Sequence, residues 1–556
     1  MDRPQGDDLS RLIERRRALG DAGALRIGDQ RSSYHYSYAQ LAALVEQSVA
    51  VLIGAGVEAG ELVLCPITPV LDSVLMQWAL ARLGVAMLPV RADLPRSRRE
   101  SLIRATGAEW WWQPADTSAN IRPAGALIRS GSAHASAPAP LHSPKFPSVP
   151  ATTSTTAAAH SHPTLTPTPM PAGPTLHQTA VMPDLSLAPA LLVETSGSSA
   201  EPKLVMLSAA AIIASCQAVN ARLDLKRGDH WLCVLPRQHV GGLAIGYRCA
   251  LAGAELVVQA RFEAEQVQAA LWDERITHLS LVPAMLERLL GVNPAPPPWL
   301  RVVLLGGQGI DSNLARRAVE QGWPLYLGYG MTETFSQVAG GWIGADGLPQ
   351  PGLMPLDDVE LDCPSCDQIQ YQASSDASNV APRQAPSPAS QQAQPLRIRG
   401  PMLMLGYANP TRKPGAGLDD GWLQTSDLAC RLPGGGIQIL GRADDVVLIA
   451  GINVLPAEIE QELAQLDQIA EIAVIGVPDP TWGHRLVALY VGELEPPQLE
   501  AWCRSNLPSH QRPRMFARLE SLPTLSSGKP DRRALIARAE ALGGRRSSSK
   551  DPAMPG

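Results

Sequence analysis

A loop of small hydroxyl residues and glycine, residues 194–203, is the first stretch whose residue types are suited to chemistry. Small side chains leave backbone N–H groups exposed, hydroxyl groups add donors, and Lys203 adds a positive charge, so the loop can wrap a phosphate. It lies between an apolar run at residues 191–193 and a helical pattern that begins near Ser208. It lacks the Gly-x-x-x-x-Gly-Lys-Ser/Thr pattern of a Walker A loop. Taken alone, the loop is equally compatible with a plain surface turn.

A second segment, residues 328–334, reads Gly-Tyr-Gly-Met-Thr-Glu-Thr and follows a strand-like run. Tyr329, an aromatic residue between two glycines, can stack on a purine base. Thr332 offers a hydroxyl group to a phosphate, and Glu333 offers a hard oxygen ligand to Mg²⁺. The segment therefore predicts contact with a nucleotide and a divalent cation.

Two further motifs lie later in the chain. Residues 421–427 read Gly-Trp-Leu-Gln-Thr-Ser-Asp and are followed by Gly-Arg-Ala-Asp-Asp at 441–445 and Ala-Gly-Ile-Asn-Val-Leu-Pro-Ala-Glu-Ile-Glu at 450–460. Residues 522–535 read Leu-Pro-Thr-Leu-Ser-Ser-Gly-Lys-Pro-Asp-Arg-Arg-Ala-Leu. In this order and at these separations, the four motifs resemble the core motifs of the adenylate-forming superfamily, which includes acyl-CoA synthetases, peptide-synthetase adenylation domains and luciferases. The resemblance covers nearly all of the chain outside two insertions and the termini.

The resemblance implies a nucleotide site and the cofactors ATP, Mg²⁺ and coenzyme A. In the superfamily, the matching positions hold the ATP phosphates, the adenine and the ribose, or lie on the face that the small domain presents to coenzyme A. The residues that it assigns to cofactor binding here are Thr195, Ser196, Gly197, Ser198, Ser199, Lys203, Gly307, Tyr329, Gly330, Asp427, Arg442 and Gly451.

The resemblance also implies how the reaction proceeds. Lys529 would bridge the acid's carboxylate and the α-phosphate during adenylation, Thr332 would contact the α-phosphate, and Glu333 would be the metal ligand. Positive charge would thus offset the repulsion between two anions. Asp444 would be the hinge about which the small domain turns, so that a thiol enters for the second half-reaction.

The phosphate loop departs from the superfamily pattern at one position. The usual motif is Ser-Gly-Thr-Thr-Gly-x-Pro-Lys, whereas this chain has Ser-Gly-Ser-Ser-Ala-Glu-Pro-Lys, with Ala200 in place of the second glycine. If that position requires positive φ, alanine costs about 1 kcal/mol or more. The departure puts the geometry of the loop in doubt, but not the family.

Residues 235–254 indicate which acid is activated. They read Leu-Pro-Arg-Gln-His-Val-Gly-Gly-Leu-Ala-Ile-Gly-Tyr-Arg-Cys-Ala-Leu-Ala-Gly-Ala. In the superfamily the position of His239 borders the acyl pocket. The spacing from His239 to Arg248 most resembles the o-succinylbenzoate–CoA ligases of menaquinone and phylloquinone biosynthesis, whose substrate has a second carboxylate that either residue would bind. In the alternative, Arg248 pairs with an internal acid and His239 packs behind the pocket. Gly306 and the sparse charge after it fit a small aromatic acyl pocket with backbone walls.

Other functions stay open from the sequence. The chain is compatible with another aryl or acyl acid–CoA ligase or with a stand-alone amino-acid adenylating enzyme, although residues 235–254 contain no acid to hold an ammonium group. A non-catalytic nucleotide-binding relative, with the insertion rich in His and Pro as an interaction segment, is the third possibility. The presence of Glu333, Asp427, Arg442 and Lys529 together argues against it.

The elements that must position these residues are short apolar strands alternating with amphipathic helices. This alternation predicts parallel sheets covered by helices. We expect an α/β protein, with a large N-terminal domain of helix-covered sheets over residues 1–440 and a small mobile C-terminal α+β domain over 441–541. Residues 542–556 are predicted to be a disordered tail. Low-complexity insertions are predicted at about 131–190, which holds 12 of the 50 prolines, and at about 370–395.

Composition narrows the possible partners and location. The net charge of −6 does not favour a nucleic-acid-binding protein, and no uninterrupted apolar run reaches the length of a membrane span. Eight cysteines in 556 residues predict a reduced, cytoplasmic protein, in which Cys363 and Cys366 are loop cysteines rather than a zinc or redox site. The expected partners are a small carboxylic acid and coenzyme A, with a possible homodimer.

Overall fold

The computed structural model describes residues 8–28, 33–113, 126–129, 188–195, 203–293, 295–366, 394–409, 415–449, 452–479, 482–524 and 530–544. Most of both predicted insertions, residues 131–187 and 370–393, and residues 545–556 of the predicted tail lie outside these ranges. The first described strand after the longer insertion starts at Pro189, and the last helix ends at Gly544.

Some helices begin at a capping side chain, and others end at glycine. Helix α2 spans Tyr38–Gly54 behind a capping box in which Ser37 and Gln40 each accept a hydrogen bond from the other's backbone N–H. Helix α3 spans Val70–Leu83 and ends at Gly84 in the left-handed conformation. The other helices are α1 (Leu12–Arg16), α4 (Arg96–Thr106), α5 (Ala209–Arg222), α6 (Val240–Ala252), α7 (Ala264–Asp273), α8 (Pro283–Val292), α9 (Ser312–Glu320), α10 (Pro456–Leu463), α11 (Pro496–Asn506) and α12 (Arg532–Gly544).

The largest sheet has 14 strands in the order β16-β17-β20-β21-β15-β14-β13-β12-β11-β9-β10-β1-β2, with β19 beside β20. Its strands are β1 (Gly23–Gly28), β2 (Ser33–Ser37), β9 (His230–Cys233), β10 (Glu255–Val258), β11 (His278–Leu281), β12 (Val302–Leu305), β13 (Leu325–Met331), β14 (Ser336–Ile343), β15 (Pro349–Pro355), β16 (Glu360–Asp362), β17 (Gln394–Arg399), β19 (Leu418–Asp419), β20 (Trp422–Arg431) and β21 (Ile437–Arg442). Strands β1 and β9 to β13 run parallel, whereas β14 to β21 pair antiparallel. The predicted parallel unit is therefore extended by an antiparallel half.

Two smaller sheets complete the fold. The seven-stranded sheet has the order β18-β8-β7-β4-β3-β5-β6 and comprises β3 (Leu62–Pro66), β4 (Ala86–Val90), β5 (Trp110–Gln113), β6 (Ala126–Arg129), β7 (Pro189–Glu194), β8 (Leu204–Ser208) and β18 (Gly406–Tyr407). The five-stranded sheet comprises β22 (Val447–Ile449), β23 (Ile452–Val454), β24 (Ile469–Asp479), β25 (Gly483–Gly492) and β26 (Met515–Arg518). Helices α10 to α12 accompany this third sheet, which has its own buried apolar clusters. The expectation of an α/β protein with a smaller C-terminal unit is confirmed.

The main core lies between the two larger sheets. One apolar cluster contains Val63 and Val205 of the seven-stranded sheet together with Trp231 and Leu256 of the 14-stranded sheet. Helices α3 and α6 meet in this layer, where the rings of Trp78 and Tyr247 lie 5.1 Å apart, edge to face. No helix in the described ranges is long and apolar enough to cross a bilayer.

A disulfide bond corrects the expectation of a fully reduced protein. Cys366 is bonded to Cys430 near the end of β20, whereas Cys363 keeps a free thiol. The interpretation of Cys366 as an unpaired loop cysteine was wrong, because the sequence spacing pointed to Cys363 as its neighbour and gave no sign of Cys430, 64 residues away. The backbone N–H of Arg431 also donates to the carbonyl of Pro364, so the same segment is fastened to β20 twice.

Candidate active site

The predicted adenine and ribose residues lie on neighbouring parts of the 14-stranded sheet. Tyr329 is on β13 and Asp427 is on β20, and the Tyr329 hydroxyl donates to Asp427 Oδ2 at 2.6 Å. Burial of the phenol, together with the negative charge of Asp427, raises the Tyr329 pKa well above its usual value. Tyr329 therefore keeps its proton and holds the Asp427 carboxylate in place.

Arg442 connects Asp427 with the predicted hinge. Antiparallel pairing of β20 and β21 places Arg442 directly opposite Asp427, and Arg442 Nη1 lies 3.1 Å from Asp427 Oδ1. Its Nη2 lies 2.9 Å from Asp444 Oδ2. Burial acts to lower the Arg442 pKa, but the hydrogen bond to Asp444 and the surrounding carboxylates outweigh burial and raise it. The same arginine thus contacts the predicted ribose acceptor and the predicted hinge residue.

Glu333, the predicted metal ligand, lies within a short 3-10 turn, Thr332–Thr334. Its Oε1 accepts a hydrogen bond of 3.0 Å from Tyr407, and the Lys203 ammonium group lies 4.7 Å from the centre of the Tyr407 ring. The backbone N–H of Thr195 donates to the Lys203 carbonyl and closes the base of the predicted phosphate loop. The structure therefore brings Lys203 and Glu333 together around Tyr407.

Tyr407 is a residue that sequence reasoning missed. Its position on β18 depends on pairing with β8, where it lies opposite Val205, a residue far earlier in the chain. Burial and the negative charge of Glu333 raise its pKa, so the hydroxyl stays protonated and can donate. The only signal in the sequence was an aromatic residue after Gly406.

Position 330, on β13 just before the turn of Thr332, can hold only glycine. A Cβ at Gly330 would overlap the backbone of Ser336, which pairs with this end of β13. The Thr334 hydroxyl lies 2.6 Å from the Ser336 carbonyl oxygen, and the Thr332 carbonyl accepts a hydrogen bond from the N–H of Phe335. Phe335 and Ser336 both have positive φ, of 50° and 125°. This tight reversal fixes the direction of Thr332 and Glu333.

The segment predicted to border the acyl pocket joins β9 to α6. His239 is the N-cap residue of α6, and its carbonyl accepts a hydrogen bond from the N–H of Leu243. Gly242 is required here, because a Cβ would lie 2.6 Å from the carbonyl oxygen of Pro236. The half-buried His239 is therefore held at the start of a buried helix.

Arg248 lies on α6 and is 1% exposed. Its Nη2 donates to Ser336 Oγ at 2.8 Å, and its guanidinium lies 5.4 Å from the centre of the Trp231 ring. Its Nε has no hydrogen-bond partner within the described ranges. Burial lowers the Arg248 pKa, and Cys216 has the largest opposing effect on it. The internal acid of the alternative interpretation is not found among the described residues.

Gly306 and Gly307 follow β12 at the carboxyl edge of the parallel strands. The Gly306 N–H donates to the Leu281 carbonyl at 3.4 Å, and Gly307 has φ of +86°. A Cβ at Gly306 would lie 3.8 Å from the Gly328 carbonyl oxygen, so Gly306 is adjacent to the strand of Tyr329. Ligands of α/β proteins bind at this edge of the sheet.

Several predicted residues lie outside the described ranges. They are Ser196, Gly197, Ser198, Ser199, Gly451 and Lys529, together with Ala200. The predicted site residues that the structure describes are therefore those predicted to contact the nucleotide and those of the segment predicted to border the acyl pocket.

The described residues contain no group of three His, Cys, Asp or Glu side chains that could hold a metal ion. Mg²⁺ commonly binds through one or two carboxylates plus substrate phosphates rather than in an all-protein cage. Glu333, beside the hydroxyl of Tyr407 and in the same turn as Thr332, fits that mode of binding.

This fold is that of the AMP-binding enzymes. Residues 14–408 match the family model of the AMP-binding enzyme, and residues 458–529 match that of the AMP-binding enzyme C-terminal domain. The chain belongs to this family, and it is an AMP-forming acid–CoA ligase.

Within the family, the chain is similar to 2-succinylbenzoate–CoA ligases. That of Listeria monocytogenes serotype 4b (strain F2365) is 30% identical over 63% of this chain and 70% of the relative. That of Bacillus cereus (strain ATCC 10987 / NRS 248) is 31% identical over 64% of this chain and 72% of the relative.

Solved structures share the fold. The o-succinylbenzoate CoA synthetase (MenE) of Bacillus subtilis, in complex with the acyl-adenylate intermediate OSB-AMP, has a TM-score of 0.69 at 22% identity, with 94% of this chain and 97% of that chain covered. ATP-bound MatB of Rhodopseudomonas palustris has a TM-score of 0.72 at 20% identity, with 96% and 99% covered.

Proposed function

We propose that this protein converts 2-succinylbenzoate, ATP and coenzyme A into 2-succinylbenzoyl-CoA, AMP and pyrophosphate, as a step of menaquinone or phylloquinone biosynthesis. The similarity to 2-succinylbenzoate–CoA ligases supports the choice of acid. A related structure contains ATP and a magnesium ion, which supports the same cofactors here.

The observation that carries the choice of acid is the burial of Arg248 without a carboxylate partner among the described residues. A guanidinium in an apolar layer is costly unless a charge of opposite sign compensates it. An acid with two carboxylates can present one to ATP and leave the other for Arg248. A monocarboxylic acid would leave Arg248 uncompensated during the reaction.

In the first half-reaction, the acid's carboxylate attacks the α-phosphate of ATP and pyrophosphate leaves. Tyr329 and Asp427 hold the nucleoside, because the hydrogen bond between them fixes the carboxylate that accepts the ribose hydroxyls. Thr332 and Glu333 project from the rigid turn towards the phosphates, and Lys203 adds positive charge. Magnesium, when bound with ATP, neutralises the charge that develops on the phosphate oxygens. Lys529 is expected to bridge the carboxylate and the α-phosphate.

In the second half-reaction, the thiol of coenzyme A attacks the acyl carbonyl and AMP leaves. We propose that the C-terminal unit turns about Asp444 between the two steps. Arg442 would couple the nucleotide site to this hinge, because it contacts both Asp427 and Asp444. Gly451 would then lie on the face that meets coenzyme A.

Pyrophosphate release with a panel of acids tests the proposal. The panel contains 2-succinylbenzoate, benzoate, 4-coumarate, octanoate and several amino acids, each with ATP and Mg²⁺, with and without coenzyme A. We expect strong turnover with 2-succinylbenzoate alone. Turnover with a different acid would keep the reaction class and refute the substrate, and no release with any acid would favour a non-catalytic relative.

Beyond the reaction itself, we propose a cytoplasmic protein that binds no nucleic acid and forms a homodimer. The net charge of −6 supports the absence of nucleic-acid binding. Sedimentation of the purified protein tests the oligomeric state.

A further inference from the structure

Arg237 lies two residues before His239, and the reaction described above gives it no role. It is 4% exposed, its Nη1 donates to Ser73 Oγ at 2.5 Å, and its Nη2 donates to Gln77 Oε1 at 2.9 Å. Its Nε has no hydrogen-bond partner, and no carboxylate forms an ion pair with it, in the described part of the chain. A guanidinium buried against neutral acceptors lowers the stability of the folded state. The presence of Arg237 at this position therefore calls for a reason other than stability.

The two acceptors of Arg237 belong to a different element of the fold. Ser73 and Gln77 are both buried and lie one helical turn apart on α3, whereas Arg237 lies in the connection between β9 and α6. The Ser73 hydroxyl donates onward to the carbonyl of Val70 at 2.9 Å. The hydrogen bonds therefore run from the predicted pocket segment to the first turn of α3. A planar guanidinium suits this task, because its rigid fork of donors reaches two acceptors in fixed geometry.

The contact lies where α3 packs against α6, and α6 in turn packs next to the turn of Thr332 and Glu333. The Gln77 amide nitrogen is 3.5 Å from the position that a Cβ of Gly246 would take, so α3 and α6 are closely packed here. The ring of Tyr247 on α6 lies 5.6 Å from that of Phe335, which directly follows the turn of Thr332 and Glu333. A shift of the pocket segment would therefore disturb the packing next to the reacting groups.

We propose that Arg237 is a positioning residue for the acyl site. It holds residues 234–239, and with them His239, against α3, so that the acid enters a pocket whose wall is already in place. The inference rests on the proposed function, because it assumes that this segment borders the bound acid. Arg237 acts through the backbone of its own segment and does not bind the acid.

The contact can be broken from either side. Arg237→Met removes the donor, Gln77→Met removes one acceptor and keeps the arginine, and Arg237→Lys keeps a cation that can donate to one of the two acceptors. For the acid with the highest turnover, we expect both methionine variants to raise KM by roughly tenfold and to change KM for ATP by less than about twofold. The double variant should be no worse than Arg237→Met alone, since both changes break one contact, and Arg237→Lys should be intermediate.

Arg222→Met is the matched control. Like Arg237, Arg222 donates only to neutral acceptors, with Nη2 2.7 Å from the Pro355 carbonyl oxygen, but it is only partly buried and lies on α5 outside the pocket segment. This variant should leave both KM values near those of the wild type.

Hydrogen–deuterium exchange gives a readout that does not depend on turnover. We expect peptides that cover residues 234–240 to exchange at least about tenfold faster in Arg237→Met and Gln77→Met, and not in Arg222→Met. Unchanged exchange, additive effects in the double variant, or a loss confined to dicarboxylic acids would overturn the positioning role. If the wild type activates no acid, the proposed function fails on its own, and the exchange result alone decides the role of Arg237.

Discussion

Replacing Arg248 with methionine tests the charge complementarity of the acyl site. The substitution removes a guanidinium that is 1% exposed and keeps a side chain of similar length, so the core around Trp231 stays filled. Exchanging a buried charge for an apolar group is often neutral or stabilising, because the desolvation cost disappears. We therefore expect the thermal midpoint of unfolding to change little, and any loss of activity to reflect the site.

The size of the loss follows from the surroundings of Arg248. At an effective dielectric constant of about 20, two unit charges about 4 Å apart attract by about 4 kcal/mol. The free energy needed to bury Arg248 has already been spent in the free protein, whereas the acid still has to lose its hydrating water on binding. The net stabilisation is therefore smaller, and for hydrogen bonds to charged groups it is about 1.5–3 kcal/mol. Arg248→Met should therefore lower kcat/KM for 2-succinylbenzoate by roughly 10- to 150-fold.

The assay compares 2-succinylbenzoate with two analogues that each lack one of its carboxylates, 4-oxo-4-phenylbutanoate and 2-butanoylbenzoate. Only the analogue that keeps the carboxylate that attacks ATP can release pyrophosphate, and steady-state release gives kcat/KM for this analogue and for 2-succinylbenzoate. For an analogue that lacks the carboxylate bound by Arg248, wild type and Arg248→Met should differ by less than about threefold. An equal loss on 2-succinylbenzoate and on that analogue would refute the reasoning and would remove Arg248 from the acyl site.

Three further predictions concern the turn of Thr332 and Glu333 and the C-terminal unit. Tyr407→Phe removes the hydrogen bond to Glu333, and we expect the Mg²⁺ concentration for half-maximal pyrophosphate release to rise about two- to tenfold in a magnesium titration. Gly330→Ala places a Cβ on the backbone of Ser336, so the free energy of unfolding in a denaturant titration should fall by about 3 kcal/mol. Burial raises the Glu460 pKa to about 7, above its unfolded value, so its contribution to stability is complete below about pH 4.5 and is lost as the pH rises through 7. Between pH 5 and pH 8, Glu460 should lower the free energy of unfolding of the wild type by about 2 kcal/mol, a figure that allows for the partial exposure of the side chain. Denaturant titrations at the two pH values should show that Glu460→Gln removes this decrease.

Each of these predictions has its own control. An unchanged magnesium dependence in Tyr407→Phe would contradict the role given to its hydroxyl. Gly291→Ala, where a Cβ would meet open space, should leave stability nearly unchanged, and an equal fall there would make the Gly330 result uninformative about the turn. Parallel stability curves for wild type and Glu460→Gln between pH 5 and pH 8 would contradict the raised pKa.

The sequence by itself determined the elements and the reaction class. Helix α2 spans Tyr38–Gly54 because its apolar spacing and the cap at Ser37 are local properties of the chain. The motifs around Glu333 and Asp427 could be identified for the same reason, since each is a short run of contiguous residues. The parallel strands were also visible, because buried strands are continuous apolar runs.

Only the tertiary structure decided which distant residues meet. Tyr407 reaches Glu333 through the pairing of β18 with β8, Arg237 reaches Gln77 on α3, and Cys366 reaches Cys430 across one insertion. None of these contacts follows from spacing, because each depends on the order of strands in a sheet or on the packing of two helices. The same holds for Arg248, whose type and position are read from the sequence, whereas its burial without an acid among the described residues is a property of the folded core.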